Sequence, residues 1–128
     1  MASKKNPQPR ALVIEDDDVF ADHLALLMQK MNFIVEISHD GLDALGRCQS
    51  HRFDVIVCDV RMPRLSGLSF LSNLRQTLNA TTRVVMISAL DDNAIRDQSL
   101  ASGAAAYLVK PIHAQDLRGA IGDLNIKL

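Results

Sequence analysis

The sequence predicts an α/β domain in which helices cover both faces of a parallel sheet. Five short apolar runs alternate with five stretches whose apolar residues recur at helical spacing, and this alternation is typical of consecutive βαβ units. The run at residues 55–58 is continuously apolar, as expected of a strand that is buried on both faces. A length of 128 residues fits one domain with a sizeable core.

The first strand is predicted at residues 11–14 and is followed directly by the acidic segment 15–18. A helix is expected from about residue 18 to residue 31, and Asp17 or Asp18 would cap its positive end. The apolar residues of this helix recur on one face, namely Phe20, Leu24, Leu27, Met28 and Met31. We expect this face to pack on the sheet.

The second strand is predicted at residues 33–37, and its end carries no obvious chemical group. A turn at residues 38–41 leads into a short helix that ends near residue 50, with Asp40 as its candidate N-cap. The inward positions of this helix are expected to be Leu42, Leu45 and Cys48.

The third strand, at residues 55–58, leads into Asp59, and Pro63 ends the extended segment soon afterwards. Asp59 is therefore expected at the carboxyl end of a central strand, where open α/β sheets form their sites. Ser66 is the candidate cap of a helix that would run to about residue 78. The inward face of this helix is expected to consist of Leu68, Leu71, Leu74 and Leu78.

The fourth strand is predicted at residues 83–87 and ends in Ser88. The helix after it, at about residues 92–102, has few apolar residues and they are poorly phased. We therefore expect this helix to be held loosely, with Gly103 as the residue that ends it.

The fifth strand is predicted at residues 105–109 and ends in Lys110-Pro111. The last helix is expected at about residues 113–126. Its inward face would consist of Leu117, Ala120, Ile121 and Leu124.

The order of the strands follows from handedness and from the groups at the strand ends. Crossovers between parallel strands are right-handed, and the first and third strands must be neighbours if their end groups are to converge. These conditions predict a flavodoxin-like (βα)5 three-layer sandwich with a five-stranded parallel sheet in the order 2-1-3-4-5.

Composition excludes several classes of function. A net charge of −1, four Phe, one Tyr and no Trp give no basis for direct nucleic-acid or membrane-surface binding. No run is long enough to span a bilayer, and the N-terminus lacks a signal-peptide core. Cys48 and Cys58 show neither disulfide nor zinc spacing. We expect a cytoplasmic protein with a flexible polar tail at residues 1–10 and a single domain at residues 11–128.

Four of the five predicted strands end in groups that can bind a metal ion or a phosphoryl group. These groups are Glu15 with Asp16, Asp59, Ser88 and Lys110. Carboxylates placed this close repel one another, and a divalent cation or a proton offsets the repulsion. Hard oxygen ligands in a compact cleft suit Mg²⁺, which also binds phosphate. Asp59 would then be the nucleophile towards a phosphoryl group, whose oxygens Ser88 and Lys110 would bind.

The motifs VIEDD, DVIVCDVRMP, VVMISA and GAAAYLVKP occur in this order and spacing. In these motifs the chain resembles the receiver domains of bacterial two-component response regulators, and the resemblance extends over nearly the whole chain from Ala11 onward. It implies a signalling domain with Mg-dependent self-phosphorylation and autodephosphorylation rather than a turnover enzyme. The expected partners are a sensor histidine kinase or phosphotransfer protein, and a downstream protein or output domain.

The resemblance also assigns roles to single residues. It implies that Asp59 is phosphorylated, that Ser88 and Lys110 bind the phosphoryl oxygens, and that the Lys110-Pro111 peptide bond is cis. Tyr107 matches the switch aromatic of the family, which turns inward when Ser88 moves towards the phosphate. The alternative for Tyr107 is a half-buried strand residue with its hydroxyl in water.

The metal ligands are likewise implied by the resemblance. Asp16, Asp59 and the backbone carbonyl of Arg61 would bind Mg²⁺ directly, and Glu15 would act mainly through water.

Two departures from the family pattern carry expectations of their own. Ala105-Ala106 stands where OmpR-like relatives have acidic residues that pair across a dimer, so dimerisation of that kind is not expected. Arg61 and Leu90 lie two residues after Asp59 and Ser88, and in the family these positions line the path of the attacking water. A long cation and an apolar group there predict a phosphorylated state that outlasts those of the fast chemotaxis regulators.

Four other classes of protein are the alternatives to this interpretation. An electron carrier with a flavin phosphate loop conflicts with the acidic segment 15–18, and a P-loop nucleotidase lacks its glycine-rich lysine loop. A haloacid-dehalogenase-like phosphatase requires a second Asp where Arg61 stands. A pseudo-receiver, which would bind partners without phosphorylation, stays open as the alternative.

Overall fold

The computed structural model describes residues 8–122, which form alternating strands and helices in a single sheet. The ten elements, in chain order, are β1 Arg10–Ile14, α1 Asp18–Lys30, β2 Ile34–Ser38, α2 Gly41–Ser50, β3 Val55–Asp59, α3 Gly67–Leu74, β4 Arg83–Ser88, α4 Asn93–Ala101, β5 Ala106–Val109 and α5 Ala114–Gly122. This alternation confirms the predicted fold class.

The sheet has the order β2-β1-β3-β4-β5, and each neighbouring pair is parallel. The flavodoxin-like topology predicted from the strand ends is therefore confirmed. The register places Asp59 beside Ile87 and Ser88 beside Val109. The residues that follow the ends of β1, β3, β4 and β5 thus lie along one edge of the sheet.

The core divides into two layers because side chains of a strand alternate between its faces. Ala11 and Val13 point into a cluster with α1 and α5, where Leu24, Met28 and Leu117 are buried. Leu12 and Ile14 point the opposite way, into a cluster that includes the following buried residues of α2 and α3: Ala44, Cys48, Phe70 and Leu71. β1 and β3 therefore have both faces covered, which for β3 confirms the prediction from its continuous apolar run.

Side-chain caps begin the first three helices at the predicted places. Asp17 Oδ1 accepts a hydrogen bond from the N–H of Phe20 at 3.1 Å, and Asp40 accepts one from Asp43 at 2.8 Å. The hydroxyl of Ser66 accepts one from the N–H of residue 69 at 3.2 Å. These bonds satisfy backbone donors that have no partner within the helix.

Two of the predicted inward leucines are exposed. Leu42 is 48% exposed because Gly41, Ala44 and Cys48 form the buried stripe of α2. The prediction was wrong because it preferred a large apolar residue to the small ones on the adjacent face. Leu78 is 52% exposed because α3 ends at Leu74, one turn earlier than predicted.

Near the ends of the described residues, one predicted boundary differs and several expectations cannot be compared with the structure. β1 begins at Arg10, one residue before its predicted start, and the N–H of Arg10 donates to Asp54 Oδ2 at 2.7 Å. Most of the predicted tail, as well as Leu124 and the predicted end of the last helix, lies outside the described residues. Within residues 8–122, the helices lack the combination of length and apolar character that a membrane span requires.

Asn79 connects four backbone or side-chain groups at the amino edge of the sheet. Its Oδ1 accepts hydrogen bonds from the N–H of Phe53 at 2.7 Å and the hydroxyl of Thr82 at 3.0 Å. Its Nδ2 donates to the carbonyls of Cys48 at 2.9 Å and His51 at 2.7 Å. Asn79 is fully buried, so these four bonds fix the end of α2 and the starts of β3 and β4 relative to one another.

Candidate functional site

Three carboxylates meet at the carboxyl edge of the sheet. Glu15, Asp16 and Asp59 each place one oxygen so that the three oxygens lie within 4.8 Å of one another. Glu15 and Asp59 are buried, whereas Asp16 is exposed. The structure therefore brings together the acidic residues that the strand-end pattern selected.

Asp59 is the last residue of β3 and is 6% exposed. Its Oδ1 accepts a hydrogen bond from the N–H of Arg61 at 3.2 Å, while the side chain of Arg61 is exposed. The chain then turns back, and the N–H of Gly67 donates to the carbonyl of Val60 at 2.8 Å. A Cβ on Gly67 would overlap the carbonyl oxygen of Asp59, so only glycine allows α3 to start this close to the site.

Lys110 bridges the two buried carboxylates. Its Nζ donates to Glu15 Oε1 at 2.9 Å and to Asp59 Oδ2 at 3.1 Å. Its backbone N–H donates to the carbonyl of Ser88 at 2.8 Å, and the Lys110–Pro111 peptide bond is cis. Burial lowers the pKa of Lys110, but the hydrogen bonds and charges of Glu15 and Asp59 outweigh it and leave the pKa raised. The lysine is therefore a fixed cation beside Asp59.

Glu15 is the most deeply buried member of the site, at 1% exposure. Burial raises its pKa to about 7, because desolvation outweighs the hydrogen bonds from the N–H of Asp17 and from Lys110. The negative charge of Asp59 acts in the same direction as burial. Glu15 thus holds a proton more readily than an ordinary glutamate.

Ser88 and Tyr107 are linked through Leu90. The hydroxyl oxygen of Ser88 accepts a hydrogen bond from the N–H of Leu90 at 3.0 Å, and the hydroxyl of Tyr107 donates to the carbonyl of Leu90 at 2.8 Å. Tyr107 is 5% exposed, and the guanidinium of Arg96 lies 4.9 Å from its ring centroid. The alternative of a half-buried Tyr107 with its hydroxyl in water is wrong for this structure, because the backbone of Leu90 offers an acceptor inside the fold.

Two neighbours of the site were not predicted from the sequence. His39 lies directly after β2, and its Nδ1 is 3.0 Å from the carbonyl oxygen of Glu15. The end of β2, expected to carry no chemistry, therefore supports the backbone of an acidic residue. The ring of Phe20, predicted only as part of an apolar face, has its centroid 4.5 Å from Lys110 Nζ. For His39 the only signal in the sequence was its position directly after a predicted strand. For Phe20 it was the position close to the acidic segment 15–18.

The donor set of the site fits a hard divalent cation. Its ligand atoms are carboxylate oxygens from Glu15, Asp16 and Asp59, and oxygen ligands of this kind, with one or two carboxylates and an exposed side for water, suit Mg²⁺. Softer ligands are absent from this cluster, since Cys48 and Cys58 are buried in the core and burial raises the pKa of both thiols. A cation here would balance the charge of the three carboxylates.

Residues 11–122 match one family model, which is described as the response regulator receiver domain. Among curated relatives, the response regulator ArlR of Staphylococcus aureus (strain Mu50) is 32% identical over 110 residues. This match covers 86% of the chain and 49% of the relative. The chain thus spans about half the length of the curated relatives it matches.

Solved structures show the same similarity. The Francisella response regulator 1452 receiver domain has a TM-score of 0.83 at 34% identity, and the match covers 91% of this chain and 95% of that one. A response regulator protein from Burkholderia pseudomallei, with a phosphorylated aspartic acid, calcium ion and citrate, has a TM-score of 0.81 at 28% identity. That match covers 88% of this chain and 65% of the other.

Proposed function

Since the chain belongs to the family of response regulator receiver domains of two-component signalling, we propose that it accepts a phosphoryl group on Asp59. The observation that carries this proposal is the position of Asp59 at the end of β3, with the Nζ of Lys110 3.1 Å from its Oδ2. The phosphorylated aspartic acid in the Burkholderia pseudomallei relative supports the same chemistry.

The proposed reaction transfers the group from a phosphohistidine of a sensor histidine kinase or phosphotransfer protein. A carboxylate oxygen of Asp59 attacks phosphorus, the P–N bond breaks, and its electron pair stays on the histidine nitrogen. The product is an acyl phosphate, which water later hydrolyses to restore Asp59. Lys110 and Ser88 bind the phosphoryl oxygens, since a fixed cation and a hydroxyl stabilise the charge on the transferred group.

We further propose that Mg²⁺ is the cofactor. Asp16, Asp59 and the backbone carbonyl of Arg61 would bind it directly, and Glu15 would act mainly through water. Bound Mg²⁺ supplies positive charge that stabilises the oxygens of the phosphoryl group. The calcium ion in the Burkholderia pseudomallei relative shows that a divalent cation is present in a protein of this fold.

The proposed output is a change at Ser88 and Tyr107. When Ser88 turns towards the phosphoryl group, its hydroxyl leaves the N–H of Leu90, the residue that also accepts the hydrogen bond of Tyr107. This coupling would alter the surface that a downstream protein or an output domain recognises. We propose no direct contact of this domain with nucleic acid or membrane, and a cytoplasmic location.

A phosphorylation-independent binding scaffold is the weaker candidate. A pseudo-receiver loses one or more of the reacting groups, whereas Glu15, Asp16, Asp59, Ser88 and Lys110 are all present in this chain.

Mass spectrometry of the intact protein tests the proposal directly. Incubation with acetyl phosphate and Mg²⁺ is expected to add the mass of one phosphoryl group, and D59N is expected to show no addition. An unmodified wild-type protein, under conditions that phosphorylate a known receiver domain, would contradict the proposed function.

A further inference from the structure

Phe20 contacts the ammonium group of the site lysine although it belongs to a different element. Phe20 lies in the first turn of α1, and the centroid of its ring is 4.5 Å from Lys110 Nζ. A lysine ammonium within about 6 Å of a ring centroid is attracted to the negative face of the ring. The contact therefore carries an attractive interaction, in addition to apolar packing.

The hydrogen bonds of Lys110 leave a place for this ring. An ammonium has three N–H donors, and two of them are used by Glu15 Oε1 and Asp59 Oδ2. Within residues 8–122 the third donor has no hydrogen-bond acceptor, and the face of Phe20 is the aromatic surface in contact with the ammonium group. The ammonium is thus in contact with two carboxylates and one ring, while the Lys110 side chain is 22% exposed.

Phe20 is itself held from two sides. Its N–H donates to the N-cap Asp17 at 3.1 Å, so the backbone at the start of α1 is fixed. Its ring lies 5.9 Å from the ring of His23, one turn later, and His23 Nε2 is 3.2 Å from the carbonyl oxygen of Ile112. The same face of α1 therefore contacts both Lys110 and the loop that follows it.

From these contacts we propose that Phe20 is a positioning residue, which holds the ammonium of Lys110 beside Asp59 through the face of its ring. The ring matters most when the hydrogen-bond acceptors of Lys110 change during phosphorylation. On the proposed function, Lys110 must exchange a carboxylate oxygen for a phosphoryl oxygen, while its attraction to the ring is unaffected by that exchange. Phe20 keeps the ammonium within reach of phosphorus during the transfer.

A double-mutant cycle between F20L and K110M tests the contact in the unphosphorylated protein. Leucine keeps the apolar packing and the helix propensity but removes the ring. We expect F20L to raise the unfolding equilibrium constant roughly three- to tenfold more in the wild-type background than in the K110M background. L27A, two turns further along the same helix, is the matched control and should show no such coupling.

The phosphorylation rate tests the consequence. With acetyl phosphate and Mg²⁺, F20L is expected to be phosphorylated about three- to tenfold more slowly than the wild type, and F20Y, which keeps the ring, should recover most of that loss. The ammonium signal of Lys110 in NMR spectra should broaden through faster exchange with water in F20L and persist in F20Y.

The outcomes separate this inference from the proposed function. Coupling below twofold in the cycle, or equal phosphorylation rates for F20L and the wild type, overturns the positioning role. If the wild-type protein takes up no phosphoryl group, the proposed function fails, and the coupling and the ammonium signal then decide the role of Phe20 by themselves.

Discussion

The hydroxyl of Tyr107 donates a hydrogen bond to the carbonyl oxygen of Leu90 at 2.8 Å. The N–H of the same residue donates to the hydroxyl oxygen of Ser88 at 3.0 Å. One peptide segment of the β4–α4 loop therefore contacts both the hydroxyl expected to bind phosphate and the aromatic residue expected to respond. A movement of the Leu90 backbone would therefore change the hydrogen-bond lengths at both Ser88 and Tyr107.

Tyr107 should report its own state by fluorescence, because the chain contains one Tyr and no Trp. Phosphorylation is expected to change the intensity of this emission, as the surroundings of the phenol ring respond to the movement of Ser88. S88A should weaken the change while leaving the protein folded. Identical emission spectra before and after complete phosphorylation would contradict the switch role of Tyr107.

The stability of the metal-free protein should depend on the protonation of Glu15. Burial raises its pKa from 4.5 to about 7 in the folded state. The folded protein therefore binds more protons than the unfolded chain between these two values, and the free energy of unfolding falls as pH rises through that interval. The total change is of the order of 3 kcal/mol, since one pKa unit corresponds to about 1.4 kcal/mol.

Urea unfolding between about pH 5 and 8 measures this dependence. E15Q removes the titrating carboxyl group and is the control for every other contribution to the pH dependence. Its stability should change less with pH than that of the wild type. Parallel curves for the two proteins would show that Glu15 does not bind a proton in this range.

Arg61 should lengthen the life of the acyl phosphate. Its side chain is exposed, and its backbone N–H donates a hydrogen bond to Asp59 Oδ1. R61A keeps that backbone group but removes the cation that would shield the phosphate from water, so hydrolysis is expected to be about three- to tenfold faster. Loss of the phosphoryl group after labelling and removal of the phosphodonor measures the rate.

Arg64 supplies the comparison for this test. It is an exposed arginine of the same loop that pairs with Asp40 at 3.0 Å, and R64A should leave the hydrolysis rate unchanged. Decay of the wild-type acyl phosphate within seconds would contradict the shielding role of Arg61 and Leu90.

Gly67 should be the least replaceable glycine of the described chain near Asp59. A Cβ there would overlap the carbonyl oxygen of Asp59 and lie 2.9 Å from the Cα of Val60, and these backbone atoms cannot rotate away. G67A is expected to lower the free energy of unfolding by about 1–3 kcal/mol and to slow phosphorylation of Asp59.

Gly119 is the matched glycine for this experiment. It lies in α5, and within residues 8–122 no heavy atom outside its chain neighbours and its own helix backbone lies within 4 Å of a Cβ built there. G119A is expected to stabilise the protein by roughly 0.5–1 kcal/mol, because alanine is the better helix former. Equal urea midpoints for the two variants would show that the crowding at Gly67 is relieved by backbone movement.

Loss of the amide donors of Asn79 should lower the free energy of unfolding. N79D keeps the shape of the side chain but replaces Nδ2 by a carboxylate oxygen, which would face the carbonyls of Cys48 and His51 in a fully buried position. We expect a loss of about 3 kcal/mol in unfolding free energy at neutral pH. N73D, at an exposed amide of α3, should cost less than about 1 kcal/mol.

The sequence was sufficient for the fold because each strand signal is local. The apolar runs before Glu15, Asp59, Ser88 and Lys110 predict strands without reference to any other segment, and right-handed crossovers then leave few ways to arrange them. The convergence of four side chains follows from geometry alone, since the ends of parallel strands lie on one edge. For this reason the acidic cluster and its lysine could be predicted together.

The remaining features depend on distances that no local pattern records. Phe20 fits an apolar helix face equally well with or without a lysine against its ring, and His39 gives no sign in the sequence that it supports the carbonyl of Glu15. Leu78 follows the spacing of α3 but lies beyond the end of that helix. Asn79 occurs in a polar segment that resembles an ordinary turn, although its side chain is fully buried.

The hydrogen bonds of Asn79 and the residues of the candidate site lie at opposite ends of the strands. Its four hydrogen bonds hold chain segments at the amino edge, while Asp59, Ser88 and Lys110 lie at the carboxyl edge, a strand length of roughly 17 Å away. We therefore expect the contacts at the carboxyl edge to rearrange on phosphorylation while the hydrogen bonds of Asn79 keep the strands in register.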